Sequence, residues 1–242
     1  SIGLVGSEMC IRDRNRTSET FRVGETFDAW RVKPKRGAIF VTDKIRYNGL
    51  IANIGARLEY WAPGRYVDNA VNNALDLNTL STIPTFVAQD YLDSSTEILG
   101  LRYKFRFLPK INVSFPVREN QVLFFNYGHS TRIPHPSYVY AGLDPFYQDQ
   151  SDLPDLGNPN LDPEVDISYE IGFRNQITSN DAFNTSAFWR DKYDFVTTQS
   201  IRVQDVNGRN VSKAFRINGD YARSRGIELS LIHISEPTRP ID

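Results

Sequence analysis

Between residues 50 and 60 the chain alternates with a period of two. Leu50, Ala52, Ile54, Ala56, Leu58 and Tyr60 fall on one side of an extended backbone, and Asn53, Gly55, Arg57 and Glu59 fall on the other with Ile51. Successive strand side chains point to opposite faces, so this run predicts a strand with one apolar and one polar face. In front of it stands Tyr47-Asn48-Gly49. Asn-Gly suits the two φ > 0 positions of a type I′ turn, which predicts a tight hairpin with a preceding strand at about 37–47. The plan repeats. Ile111, Val113, Phe115 and Val117 alternate with Lys110, Asn112 and Ser114, and Arg118-Glu119-Asn120 turns the chain into a strand at 121–129. A third pair joins 166–175 with 183–190 across Thr178-Ser179-Asn180, and a smaller hairpin centres on Val206-Asn207-Gly208-Arg209.

The most ordered pattern lies at 157–173. After a polar stretch, Ile167, Tyr169, Ile171 and Phe173 alternate with Asp166, Ser168, Glu170 and Gly172. Pro159 and Pro163 fix their own φ and push Asn158 and Asp162 towards extended backbone, so the chain reaches the strand from a defined direction. The first three turns are short and lie on one side, while the 206–209 hairpin lies on the other with the long connections. The connections at 62–98 and 130–163 are long, and loops beyond about 12 to 15 residues are usually functional where they occur. Tyr47, Tyr60, Trp61, Tyr127, Trp189 and Tyr193 gather near strand ends. Short turns at one end, long loops at the other and aromatic girdles are the pattern of an outer-membrane barrel. The expected fold is all-β: an antiparallel up-and-down transmembrane barrel, partial, with about eight strands of a total near 22. Alternation cannot tell lipid from a protein core, so a secreted β-sandwich binding glycans or acting in adhesion stands as the alternative.

The two ends read differently. Residues 4–13 are what the DNA CTCGTGGGCTCGGAGATGTGTATAAGAGAC encodes, and 229–239 are what the opposite strand of the same DNA encodes. Such reverse-complementary coding marks a transposase adapter used in sequencing libraries. Segments 1–14 and 229–242 are therefore expected to be adapter-derived, leaving 15–228 as biological sequence from the interior of a longer gene. Removing Arg12, Arg14 and Arg239 from 28 basic residues, and Glu8, Asp13, Glu236 and Asp242 from 29 acidic ones, leaves 25 of each. That balance argues against nucleic acid as a partner.

The same exclusion removes the single cysteine, Cys10, and the single methionine, Met9, so no disulfide, thiol nucleophile or cysteine metal site is expected in 15–228. His129 and His135 have no metalloprotease spacing, no serine sits in a Gly-x-Ser-x-Gly elbow, and no glycine-rich phosphate loop occurs. Neither enzyme activity nor a cofactor is expected. No apolar run reaches the ~18 residues of a membrane helix, which leaves barrel strands open.

Four segments, in order along the chain, resemble those of TonB-dependent receptors, the energised transport gates of Gram-negative outer membranes. They are Asp43-Lys-Ile-Arg-Tyr-Asn-Gly-Leu-Ile-Ala-Asn-Ile-Gly-Ala-Arg57, then Leu108-Pro-Lys-Ile-Asn-Val-Ser-Phe-Pro-Val117 with Phe125-Asn-Tyr-Gly-His129, then Gly157-Asn-Pro-Asn-Leu-Asp-Pro-Glu164, and Tyr221-Ala-Arg-Ser-Arg-Gly-Ile-Glu228. The nearest subgroup carries a carboxypeptidase-regulatory-like domain before its plug. The resemblance implies the middle to late barrel of a receptor in the cell outer membrane, taking up a scarce siderophore, vitamin, glycan or peptide. It also implies contact with outer-membrane lipid, and coupling to a TonB-type protein through N-terminal parts outside this sequence. Arg132, His135, Tyr138, Tyr140, Phe146 and Tyr147 put cationic and aromatic groups into one long extracellular loop and are the candidate ligand contacts. Tyr66, Phe86 and Tyr91 add aromatics to the other. Arg57, Glu59, Lys110, Asp166, Glu170 and Arg174 are expected to face the lumen.

Overall fold

The computed structural model describes residues 2–8, 11–16, 27–76, 81–143, 155–204 and 210–233. Phe146 and Tyr147 lie outside the described residues. So does the tip of the 206–209 hairpin, whose flanking strands pair up to Gln204 and Asn210.

The elements follow the expected meander. Strand β1 (Ile2–Glu8) is followed by β2 (Ile11–Arg16) and β3 (Phe27–Val32), which pair with each other. Then come β4 (Lys35–Tyr47) and β5 (Leu50–Ala62), joined through Asn48 at φ 48° and Gly49 at φ 84°, as a type I′ turn requires. The first long connection folds into α1 (Arg65–Leu75), α2 (Thr85–Ser94) and the short β6 (Thr96–Ile98). Strands β7 (Leu101–Arg118) and β8 (Gln121–Arg132) form the next hairpin. The second long connection holds α3 (Pro136–Tyr140) and β9 (Asp155–Leu156), and β10 (Glu164–Gln176), β11 (Asp181–Gln204) and β12 (Asn210–His233) complete the chain. The strands that the alternation marked extend beyond its ends, β7 by the whole of 101–109.

The principal sheet runs β1-β4-β5-β7-β8-β10-β11-β12-β9 and is antiparallel throughout except for the short parallel β9 contact. β1 and the last residues of β12 fall within the two segments whose coding resembles an adapter. A strand there does not bear on where those residues come from, which is a question of nucleotide sequence.

Register decides which side chains share a face. Ile39 stands opposite Leu58, Leu58 opposite Phe107, Ile54 opposite Ile111, Ile111 opposite Tyr127, Phe125 opposite Ile171, and Ile171 opposite Ala187, which stands opposite Ile227. This one face is apolar across seven strands, with Asp43 opposite Ile54, and Asp191, Arg223 and Arg225 at the β11–β12 end, as charged exceptions. Its large side chains are exposed: Ile54 44%, Phe107 61%, Ile171 51% and Ile227 76%. A β-sandwich would bury such a row against a second sheet. The buried core lies elsewhere. Trp30 and Val32 of β3, Val67 and Val71 of α1, Val87 and Tyr91 of α2, Val139 and Tyr140 of α3, and Leu156, Leu161 and Phe215 form one cluster. The long connections therefore fold into a cap with an apolar interior.

Candidate functional site

The cap meets the strands at the Gly157–Glu164 segment. Gly157 donates its N–H to the Ala141 carbonyl at 2.7 Å, and a Cβ there would lie 2.7 to 2.8 Å from Ala141 and Val139 backbone atoms, so only glycine fits. Asn158 donates its N–H to Tyr138 O at 2.7 Å and its side-chain amide to Arg216 O at 2.7 Å, and accepts from Asn160 N at 2.8 Å. Three backbone groups, from α3, from its own segment and from β12, are satisfied by this one residue. Pro159 and Pro163 are fully buried beside it. Besides aiming the strand, the prolines and glycine let the backbone pack at close range.

Below this segment lies a network of charges on the polar face of the sheet. Lys104 of β7, 3% exposed, donates to Asn160 O at 3.0 Å, Asn160 Oδ1 at 2.7 Å and Asp162 Oδ1 at 2.8 Å, and its ammonium lies 5.8 Å from the Tyr91 ring centre. Arg106 reaches Asp194 at 3.2 Å and Asp162 at 3.8 Å. Asn218 donates to Asp162 O at 3.0 Å and Asp194 O at 2.7 Å, while its Oδ1 accepts from Asp162 N at 2.8 Å. Asp194 sits at φ 58° in an irregularity of the β11–β12 ladder between Lys192 and Val196, which turns its carbonyl and carboxylate towards this network. A buried ammonium is tolerable only with such a full set of acceptors.

The other side of the cap is pinned by Asp68 of α1. Its carboxylate accepts from the Tyr91 hydroxyl at 2.8 Å and from Arg102 N at 3.4 Å. Burial holds the Asp68 carboxyl above the usual carboxylate range, with the Tyr91 bond opposing the shift. Burial, and then the neighbouring Asp68 charge, raises the Tyr91 hydroxyl. Arg102 closes the end of α2 through Leu92 O and Ser95 O at 3.3 and 3.5 Å.

The residues singled out from sequence fall into three groups. Arg132 and His135 are exposed at the rim; His135 caps α3 by accepting from Ser137 N, and its ring lies 5.6 Å from that of Tyr138. Arg216 stacks over Tyr138 at 4.7 Å. Tyr140 is buried, packs 5.2 Å from Trp30 and donates its hydroxyl to Pro63 O at 3.1 Å. Tyr91 is buried as well, whereas Phe86 is exposed. Arg57, Glu59, Lys110, Asp166, Glu170 and Arg174 share the face opposite the apolar rows. Arg57 pairs with Glu59 at 2.6 Å, Glu59 accepts from Thr131 at 2.5 Å, Asp166 lies 3.6 Å from Arg190, and Glu170 accepts from Asn126 at 3.0 Å. Arg174 lies over the Phe124 ring at 4.9 Å. Lys104, Arg106, Asp194 and Asn218 were not singled out. The signal for two of them is visible in Arg102, Lys104 and Arg106 alternating with Tyr103, Phe105 and Phe107.

A cavity of about 210 Å³ opens at the rim between the start of β4, the end of β5 and α3, lined chiefly by Pro34, Trp61, Pro63, Ile133, Pro136 and Tyr140. Among the described residues no three His, Cys, Asp or Glu side chains could together hold a metal ion. Among the described residues no helix is long and apolar enough to cross a membrane, which says nothing of barrel strands.

No curated protein matches the sequence. Among solved structures the chain is similar to a Serratia marcescens hemophore receptor, HasR, in complex with its hemophore and heme, with TM-score 0.54 and 16% identity over 95% of this chain and 39% of that one. It is similar also to the FrpB iron transporter of Neisseria meningitidis, with TM-score 0.52 and 13% identity over 86% of this chain and 24% of that one. At these identities the likeness concerns the fold, and the chain spans well under half the length of either. The family described as TonB dependent receptor-like, beta-barrel, matches residues 11–233. The meander, the exposed apolar face and this match together place the chain in the TonB-dependent receptor β-barrel family.

Proposed function

We propose that the chain forms part of the barrel wall and outer mouth of a receptor in the outer membrane of a Gram-negative bacterium, one that takes up a scarce nutrient with energy delivered by a TonB-type protein. The observation that carries this reading is the division of one sheet into two faces. Ile54, Phe107, Ile171 and Ile227 are exposed on one, while Lys104, Arg106, Glu170 and Arg190 lie on the other with the cap folded against it. Exposed apolar rows without a protein partner suit acyl chains, and a charged opposite face suits a wet lumen. That one structural neighbour is a hemophore receptor bound to heme and another an iron transporter supports a nutrient-receptor role without selecting the ligand.

Ligand contact falls to the exposed rim. Arg132, His135 and Tyr138 combine a cation, a hydrogen-bonding ring and an aromatic face beside the apolar cavity. Tyr140 supports them from inside the cap. Nitroxide labels at Ile54 and Ile171, against Asn112 and Ser168, test the membrane assignment with a lipid-soluble quencher. Strong quenching at the first pair only is expected, and equal quenching at both would reject the barrel in a membrane.

A further inference from the structure

The apolar face ends, on its β11–β12 side, in a group of side chains unlike the rest of that face. Trp189 stands opposite Arg225 and Asp191 opposite Arg223, and both pairs continue the rows of Tyr169 and Ile167. They therefore point outward, on the same face as Ile171, Ala187 and Ile227. Arg223 lies 4.6 Å from the Trp189 ring centre and 5.5 Å from that of Tyr221, and Arg225 lies 5.4 Å from Trp189. Tyr221 stacks on Tyr193 at 6.2 Å. The Asp191 carboxylate is occupied, accepting from Arg223 Nε at 2.6 Å and from Trp189 Nε1 at 3.0 Å. Arg225 is exposed, and its stacking on Trp189 is its one polar or ring contact among the described residues. Two guanidiniums thus face one carboxylate, leaving a positive excess on the outward surface.

A guanidinium in the middle of a bilayer is costly, by about 2 to 4 kcal/mol on a barrel's lipid face, but the cost falls to near zero at the interface. Trp and Tyr concentrate at that same level. A planar cation held flat on an aromatic ring there, next to an apolar strip, matches an anion that carries acyl chains. Guanidinium pairs with phosphate oxygens in a two-pronged fashion that ammonium does not reproduce. We propose that Arg225 and Arg223, framed by Trp189, Tyr193 and Tyr221, bind the phosphate of a phosphorylated lipid headgroup in the leaflet at the long-loop end, with its acyl chains along Ile227 and Ile171. This inference rests on the membrane reading above, and it concerns the outer wall rather than the rim where a nutrient would enter.

The test uses the full chain in phosphatidylcholine nanodiscs, with native mass spectrometry to count retained lipid. The probes are a bisphosphorylated disaccharide lipid, its phosphate-free counterpart, and inorganic phosphate as competitor. The wild type should retain the phosphorylated lipid and release the phosphate-free one. Arg225→Gln, which breaks no hydrogen bond in the fold, should lower occupancy about tenfold, the scale of one charge-assisted contact, and Arg225→Lys should restore part of it. Retention unchanged in Arg225→Gln and in the Arg223→Gln/Arg225→Gln pair overturns the proposal, as does displacement by inorganic phosphate alone. The same samples carry the quencher measurement at Ile171 and Ser168. Lipid quenching at Ile171 with indifferent retention sinks this inference and leaves the membrane reading standing; loss of quenching at Ile171 sinks the membrane reading itself.

Discussion

Large apolar side chains have opposite fates in the strands and in the cap. Along the strands Ile54, Phe107, Ile171 and Ile227 stand exposed. In the connections, which a sequence reader expects to be polar and solvated, Val67, Val71, Tyr91 and Leu143 are sealed from any solvent. On the membrane reading proposed above, the difference lies in what surrounds each region. Lipid leaves a strand's apolar face nothing to gain from a protein partner, whereas a loop projecting into water must bury its own apolar residues to stay folded.

The largest expected effect is on the cap. Tyr91→Ala removes a fully buried ring and leaves the partly buried Asp68 without its hydroxyl partner. It should destabilise the cap by about 3 to 5 kcal/mol, read as loss of amide-exchange protection in α1 and α2 while the β5, β7 and β8 amides keep theirs. Equal loss in the strands would mean that the two regions are one cooperative unit. Next comes the apolar face. Ile171→Arg, in a bilayer, should cost about 2 to 4 kcal/mol, and Ser168→Arg on the opposite face should be mild. Titrating both refolded variants with urea in liposomes measures the contrast, and similar costs would erase the distinction between faces.

The junction between the regions responds less. Lys104→Met keeps the length of the side chain and removes the ammonium that three oxygens of Asn160 and Asp162 accept from. Because Asp162 is about a third exposed, its orphaned charge is partly rehydrated. A loss of about 1 to 3 kcal/mol is expected, seen as faster proteolysis of the 155–163 segment than of the hairpin turns. The smallest effect is a pH response. The Asp68 pKa is raised by folding, so the folded cap holds that proton more tightly than the unfolded chain does. Stability from this group is fully present below the ordinary carboxylate pKa and is lost as pH rises through the folded value. Amide protection in α1 should therefore decline as pH rises from about 4, and Asp68→Asn should flatten that decline. A rising profile in the wild type would contradict the burial of this carboxyl.

How much of this could be read beforehand differs between the same two regions. The strand faces were legible because a period of two needs no knowledge of partners, and the Asn48-Gly49 turn announces its own geometry. The cap helices were not. Arg65–Leu75 reads Arg-Tyr-Val-Asp-Asn-Ala-Val-Asn-Asn-Ala-Leu, where asparagines and an aspartate weaken helix propensity and hide an apolar stripe of Val67, Ala70, Val71 and Ala74. The Gly157–Glu164 segment stood out as a strand approach, yet its joining role depends on Lys104, 58 positions away, and on Asn218, 56 positions away. Local pattern holds no record of such pairs. At the rim, Tyr138 and Tyr140 look alike in sequence; one stacks beneath Arg216 and the other enters the core.

The composition of the cap's core has a consequence for the order of assembly. It draws Trp30 and Val32 from the strand that leads into β4, and Phe215 from β12, far along the chain. The helices can coil locally in microseconds, but their apolar stripe has nothing to close on until β12 has been added at the opposite end of the sheet path. Closure of the cap core thus joins elements far apart along the chain. Before β12 has paired, the apolar interior of the cap would stand open, so a sealed cap requires the strands behind it to be in register.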